Sequence, residues 1–166
     1  MSIRKIVICG FGAALTFLLT VFNVLPIPAM GYVNFGDSMI LLFATIVNPA
    51  AAAFIGGVGS ALADVYLGYS QYAIFTLIIK GAEGLIAAYL FHALPKKIRI
   101  VAFLAGALIM IGGYYITDVI LIGDFIAVLP AVQGNLVQGG SCFVFACIAY
   151  QPFLRISKQQ VQLFKE

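Results

Sequence analysis

A chain of 166 residues that is 63% hydrophobic and only 9% charged, with a mean hydropathy of +1.11, is too apolar for an ordinary soluble domain. The length holds one membrane domain with no room for a second folded unit. A net charge of +3 does not point to nucleic acid, because the basic residues stand at segment ends and form no patch.

Apolar segments near the ~17–25 residues needed to cross a bilayer recur along the chain, separated by short polar or Pro/Gly breaks. The expected helices, in order, are Ile6–Phe22, Asp37–Val47, Pro49–Leu67, Tyr72–Leu94, Ile98–Leu121 and Val128–Phe153. The fold class is an all-α integral membrane protein with six transmembrane helices, forming a single domain over 1–166. The first segment follows Arg4-Lys5, and a signal peptide is the competing reading. No clean small-x-small cleavage site follows it. Between the first and second helices, Asn23 to Gly36 has no helical signal and is the longest such stretch. Pro26 and Pro28 stiffen it, Gly31 and Gly36 allow turns, and Tyr32, Asn34 and Phe35 could cover an aromatic molecule, so it reads as a lid. The second helix is short and runs at once into Asn48-Pro49, where the proline suits the first turn of a new helix. Helices two and three therefore form a tight hairpin whose first arm need not cross the full bilayer. Ala50 to Ala63 is nearly all Ala, Gly, Ser or Val, which allows close approach of helix backbones.

The fourth helix carries Lys80-Gly-Ala-Glu83 inside its apolar run. A charge near mid-membrane costs at least ~2.5–3.5 kcal/mol on insertion scales, so it faces a protein interior or a wet cavity. The i,i+3 spacing puts Lys80 and Glu83 on one face, where they neutralise each other and read as a pocket wall. A salt bridge that merely locks helices together is the plainer alternative. The fifth helix contributes Tyr114 and Asp118 one turn apart, and the sixth Asn135 and Gln138 on one face. The inner halves of these helices are almost purely apolar, so the polar groups describe a blind pocket open to one side. The cysteines, Cys9, Cys142 and Cys147, all lie within expected spans and show no CxxC spacing, so neither a disulfide framework nor a metal site is expected. His92 has no neighbouring ligands for a metal.

With six spans and cytoplasmic termini, the inner segments carry Arg4, Lys5, Lys96, Lys97, Arg99, Arg155, Lys158 and Lys165, which is every Lys and Arg except Lys80. That is the positive-inside bias in near-complete form. Asp37, Asp124 and Asp64 then fall near the outer surface. Tyr, Phe, Asn, Gln and a few charges around an outer-half pocket suit a flat polar heterocycle, stacked on rings and hydrogen-bonded at its edges.

Three stretches carry a family resemblance: Asn34-Phe35-Gly36-Asp37-Ser38, Gly56-Gly57-Val-Gly59-Ser60-Ala61-Leu62-Ala63-Asp64, and Lys80-Gly81-Ala82-Glu83-Gly84-Leu85. In this order and topology the chain resembles, over essentially its whole length, the substrate-binding S components of energy-coupling factor (ECF) vitamin transporters. The last two stretches resemble the riboflavin-, hydroxymethylpyrimidine- and pantothenate-type branch. The resemblance implies a multi-pass protein of the bacterial plasma membrane that holds a vitamin among its first loop and helices four to six. It is consistent with Tyr32, Asn34, Lys80, Glu83, Tyr114, Asp118, Asn135 and Gln138 as substrate-binding residues. It also implies that Gly10, Ala13 and Ala14 on the first helix dock a coupling membrane subunit (the T component), with Gly10 standing where an Ala-xxx-Ala-like motif begins. Two cytosolic ABC ATPases would supply the motor, since this chain has no GxxxxGK[ST] loop. No enzyme activity, metal, cofactor or nucleic acid is expected of this chain. Pyridoxine or hydroxymethylpyrimidine is the preferred cargo, with riboflavin and pantothenate as alternatives.

Two rival classes are weighed against this. An intramembrane enzyme would need paired aspartates on facing helices, and Asn34 stands where the first glycine of a Gly-x-Gly-Asp element belongs; HExxH and Gly-x-Ser-x-Gly are also missing. A self-sufficient proton- or sodium-coupled carrier would use Glu83 or Asp118 as its ion site, but the chain shows no internal repeat.

Overall fold

The computed structural model describes residues 3–26 and 32–163, with only the helix path given for 158–163. Pro28, Gly31 and Lys165 lie outside the described residues, as does the side chain of Lys158. The order is α1 (Ile3–Phe22), a two-stranded ribbon β1 (Leu25–Pro26) and β2 (Tyr32–Val33), α2 (Asp37–Ala44), α3 (Pro49–Leu67), α4 (Ala73–Ala93), a 3-10 turn at Lys96–Ile98, α5 (Ile100–Ile122) and α6 (Leu129–Leu163). Among the described residues, five helices are long and apolar enough to cross a membrane. The α2 helix, at 8 residues, is not. At 1.5 Å per residue it covers about 12 Å, under half the hydrocarbon thickness. This is the short first arm of the α2–α3 hairpin, which the sequence did not require to cross the full bilayer. The non-helical stretch Tyr32–Gly36 leads directly into α2. Non-helical backbone at that depth is tolerated only where its polar groups find partners inside the protein. Here they do: the Asn34 amide donates to Gln138 Oε1 at 2.8 Å and the Gly36 amide to Asn34 Oδ1 at 2.8 Å.

Local chemistry explains the breaks. Asn48 caps α3 by accepting from the Ala51 amide at 2.9 Å, and Pro49 occupies the first turn, where its missing N–H is harmless. Gly68 ends α3 at φ +86°, a left-handed conformation that side chains with a Cβ avoid. In the α5–α6 loop, exposed Asp124 accepts from the Ile126 amide at 2.7 Å and the Ala127 amide at 3.2 Å. These two bonds hold its carboxyl below the usual carboxylate range. The sixth helix runs ten residues past the expected Phe153, continuing through Pro152.

The ribbon pairs Leu25 with Val33 and Pro26 with Tyr32, so the lid segment carries some structure of its own. The α3 helix packs against both α1 and α4. At Gly56 an added Cβ would stand 2.5 Å from the Lys80 carbonyl oxygen, so a small-residue face is what lets α3 meet α4 backbone to backbone. At the end away from the lid, Leu41, Ala44, Phe91, Phe103 and Ala146 form a dry core, with the Phe91 and Phe103 rings stacked at 5.6 Å. His92 Nε2 lies 2.9 Å from the Val47 carbonyl oxygen at that end. Cys9, Cys142 and Cys147 are free.

Candidate functional site

At the lid end of the bundle, polar side chains from β2 and the turn after it, α3, the α3–α4 loop, α5 and α6 converge. A cavity of about 30 Å³ is lined by Tyr32, Asn34, Asp64, Tyr69, Tyr72, Tyr114, Asp118, Asn135 and Gln138. That volume takes about one or two water molecules. Six residues singled out from sequence therefore share one wall: Tyr32, Asn34, Tyr114, Asp118, Asn135 and Gln138. Lys80 and Glu83 do not line it.

The charged pair is a layer deeper, buried to 1% and 0% exposure. The nearest partner of Lys80 Nζ is Asp37, with Glu83 Oε2 second at 3.3 Å. Lys80 and Glu83 pair as expected, but Asp37 joins them in a buried triad that lies behind the cavity wall and not on it. Asp37 sits at the first turn of α2, where the helix N-terminus also favours a carboxylate. It further accepts from Gln138 Nε2 at 2.8 Å, and Lys80 Nζ lies 5.4 Å from the centre of the Tyr114 ring. Gln138 and Tyr114 are therefore the two wall residues that join the cavity to the triad. Glu83 Oε1 is buried without a hydrogen-bond partner among the described residues.

The wall is itself a network. Tyr32 donates to Asp64 Oδ1 at 2.6 Å, tying β2 to α3. Tyr72 donates to Asp118 Oδ1 at 2.8 Å, tying the start of α4 to α5. The Thr76 and Tyr114 hydroxyls are 3.0 Å apart, and the Tyr32 and Tyr69 rings meet at 5.0 Å. Sequence reasoning missed Asp37, Asp64, Tyr69 and Tyr72. Asp64 had a signal, since it ends the small-residue face of α3 four residues after Ser60; Asp37 had one in needing a cation once its helix was placed inside a membrane.

On α1 the three small residues divide between faces. Ala13 is buried, so its expected place on a docking surface is corrected. Gly10 and Ala14 are exposed, and an added Cβ at Gly10 would meet nothing within 4 Å. Gly10 also borders an apolar groove of about 550 Å³ between α1 and the α2–α3 turn, lined by Ile6, Cys9, Val47, Ala51 and Phe54 among others.

Comparison with known proteins places this architecture. A family model described as the ECF-type riboflavin transporter, S component, matches residues 1–153. A Pyrococcus woesei protein described as lying in a gap 3′ region is 41% identical over 129 residues, covering 72% of this chain and 86% of its own. The thiamine precursor transporter HmpT of Lactococcus lactis subsp. cremoris is 31% identical over 147 residues, 87% of this chain and 84% of its own. A solved bacterial ECF transporter S component superposes with a TM-score of 0.69 over 98% of both chains at 17% identity, which speaks to the fold. The chain belongs to the S components of ECF transporters, a family of multi-pass membrane proteins, through the family described as the ECF-type riboflavin transporter S component.

Proposed function

We propose that this chain is the substrate-capturing subunit of an ATP-driven importer for a small water-soluble vitamin or vitamin precursor, pyridoxine or hydroxymethylpyrimidine before riboflavin or pantothenate. The observation that carries the reading is the convergence of four tyrosines, two carboxylates and three amides on one cavity beneath the β2 segment. Phenol rings stack on a flat heterocycle and the amides and carboxylates read its edges. The 31% identity to a thiamine precursor transporter supports a cargo of that size and polarity. At about 30 Å³ the cavity is far below the ~300 Å³ at which ligand pockets begin, so a heterocycle enters when the β2 segment lifts from Asp64 and Gln138.

The polar cavity lies at one end and the dry Phe91–Phe103 core at the other, so the site is blind. Release at the far side then takes an outside energy source: a coupling membrane subunit and two cytosolic ATPases, with this chain tipping in the bilayer. The exposed Gly10–Ala14 face and the adjoining groove supply a surface for that subunit. The positive charge flanking the dry end supports a cytoplasmic side for that end and for both termini.

The test is calorimetric titration of the detergent-purified chain with pyridoxine, hydroxymethylpyrimidine, riboflavin and pantothenate, followed by uptake into liposomes. One of these should bind in a 1:1 ratio. The chain alone should not accumulate it, and adding the coupling subunit, the ATPases and ATP should. Concentrative uptake by the chain alone, driven by a proton or sodium gradient, would replace this reading with a self-sufficient carrier.

A further inference from the structure

One side-chain amide ties the segment that closes the cavity to the charged triad behind it. Gln138, on α6, is 2% exposed, and both ends of its amide are engaged. Its Oε1 accepts the Asn34 backbone N–H at 2.8 Å, and its Nε2 donates to Asp37 Oδ2 at 2.8 Å. Asn34 and Asp37 stand on either side of the turn that joins β2 to α2, so one group, 104 residues further along the chain, spans that turn. Inside the turn, Asn34 Oδ1 accepts the Gly36 N–H at 2.8 Å and lies 3.4 Å from Thr20 Oγ1 on α1.

Asp37 decides which way that amide faces. A carboxylate only accepts, so the NH₂ of Gln138 must point at it and the carbonyl is left pointing at the segment. The Asp37 carboxylate is itself fixed, because its Oδ1 pairs with Lys80 Nζ and the N-terminus of α2 favours its charge. Donors and acceptors therefore run in one order, from Lys80 through Asp37 and Gln138 to the Asn34 backbone. Turned over, the Gln138 amide would set its NH₂ against the Asn34 N–H, donor against donor. With its aim held from behind, Gln138 Oε1 stays in place while the β2 segment is lifted. The returning segment then meets a preset acceptor, which lowers the ordering cost of closure.

We propose that Gln138 is the catch that holds the β2 segment shut, and that Asp37, backed by Lys80, is the positioning residue that keeps its carbonyl turned toward the Asn34 backbone. The triad thus governs closure of a cavity that it does not line. The inference rests on the reading of this cavity as the cargo site and adds how that site is closed. Since the catch grips backbone, it works alike for any cargo the cavity takes.

The experiment is hydrogen exchange of the full chain in detergent without cargo, resolved to the Asn34 amide by mass spectrometry with electron-transfer fragmentation. Asp37→Asn should speed exchange at Asn34 at least about fivefold. The amide introduced there keeps its oxygen for Lys80 and turns its NH₂ on Gln138, which has to flip. Adding Gln138→Glu to Asp37→Asn swaps donor and acceptor between the two positions, keeps the net charge of the site and returns an acceptor to Asn34. Exchange in this double variant should fall back to within about twofold of the parent, a rescue that loss of the triad's stability alone would not produce. Parent-like protection in Asp37→Asn, or equal exchange in the single and double variants, overturns the proposal. Gln138→Met leaves all three triad charges and removes both ends of the amide. It should expose the Asn34 amide by the same factor while the Phe91 and Phe103 amides stay protected. Protection kept at Asn34 in that variant overturns the catch even if neither Asp37 variant folds. No cargo enters the measurement, so its failure leaves the vitamin-binding reading standing, and the calorimetric series above tests that reading separately.

Discussion

Removing the ammonium of Lys80 should cost this fold more than any other single polar deletion. Lys80 is 1% exposed and is the cation for two buried carboxylates, Asp37 and Glu83. For the Glu83 contact at 3.3 Å, an effective dielectric of about 20 gives roughly 5 kcal/mol of attraction. Deleting one member of a buried pair leaves its partner uncompensated, which typically costs about 3–5 kcal/mol. Lys80→Ala should therefore destabilise by about that amount and lower the thermal midpoint by on the order of 10 °C. Circular dichroism melting in detergent reads this directly; with no tryptophan in the chain, intrinsic fluorescence is a poor probe. The damage should also reach the cavity, because Asp37 holds Gln138 and Gln138 holds the Asn34 amide. The triple change Lys80→Met, Asp37→Asn and Glu83→Gln removes the charges together and should recover most of the stability, since a neutralised site carries no unpaired ion. A Lys80→Ala midpoint within about 2 °C of the parent, or a triple variant less stable than Lys80→Ala, would refute the triad as the source of the stabilisation.

Gly56→Ala should destabilise by about 1–3 kcal/mol through overpacking against the Lys80 carbonyl, whereas Gly10→Ala, with open space around it, should melt like the parent; equal midpoints would show that the α3–α4 contact can relax. Gly10→Leu and Ala14→Leu should bind vitamin normally in calorimetry yet abolish ATP-driven uptake in the reconstituted complex, and normal uptake in both would show that this face docks nothing. Single cysteines beside Lys97, on a cysteine-free background, should resist an impermeant external thiol reagent in intact cells, while one beside Asp124 should react; labelling at Lys97 would reverse the orientation.

Hydropathy and punctuation in the sequence determined the membrane class, both ends of α1, α3, α4 and α5 to within three residues, and the start of α6, because each span must satisfy its backbone locally and bury its own apolar surface. The break at Asn48-Pro49 and the small-residue face around Gly56 were equally legible, each being a local requirement of chain geometry. Six of the cavity residues could be found by depth along two helices, α5 and α6, and the position of the first loop. Periodicity could not say how short α2 would be, since its length depends on whether Tyr32–Gly36 finds hydrogen-bond partners on a helix a hundred residues away. It also could not choose among carboxylates. Glu83, in register one turn from Lys80, was visible, but Asp37, 43 residues distant, is the nearer partner, and it displaces the pair from the wall. Asp64 joined Tyr32 in the cavity wall only because the fold brings β2 against the end of α3, where the Tyr32 hydroxyl donates to one of its oxygens. Charge pairing in a low-dielectric interior follows distance in space, and the tertiary packing alone sets that distance.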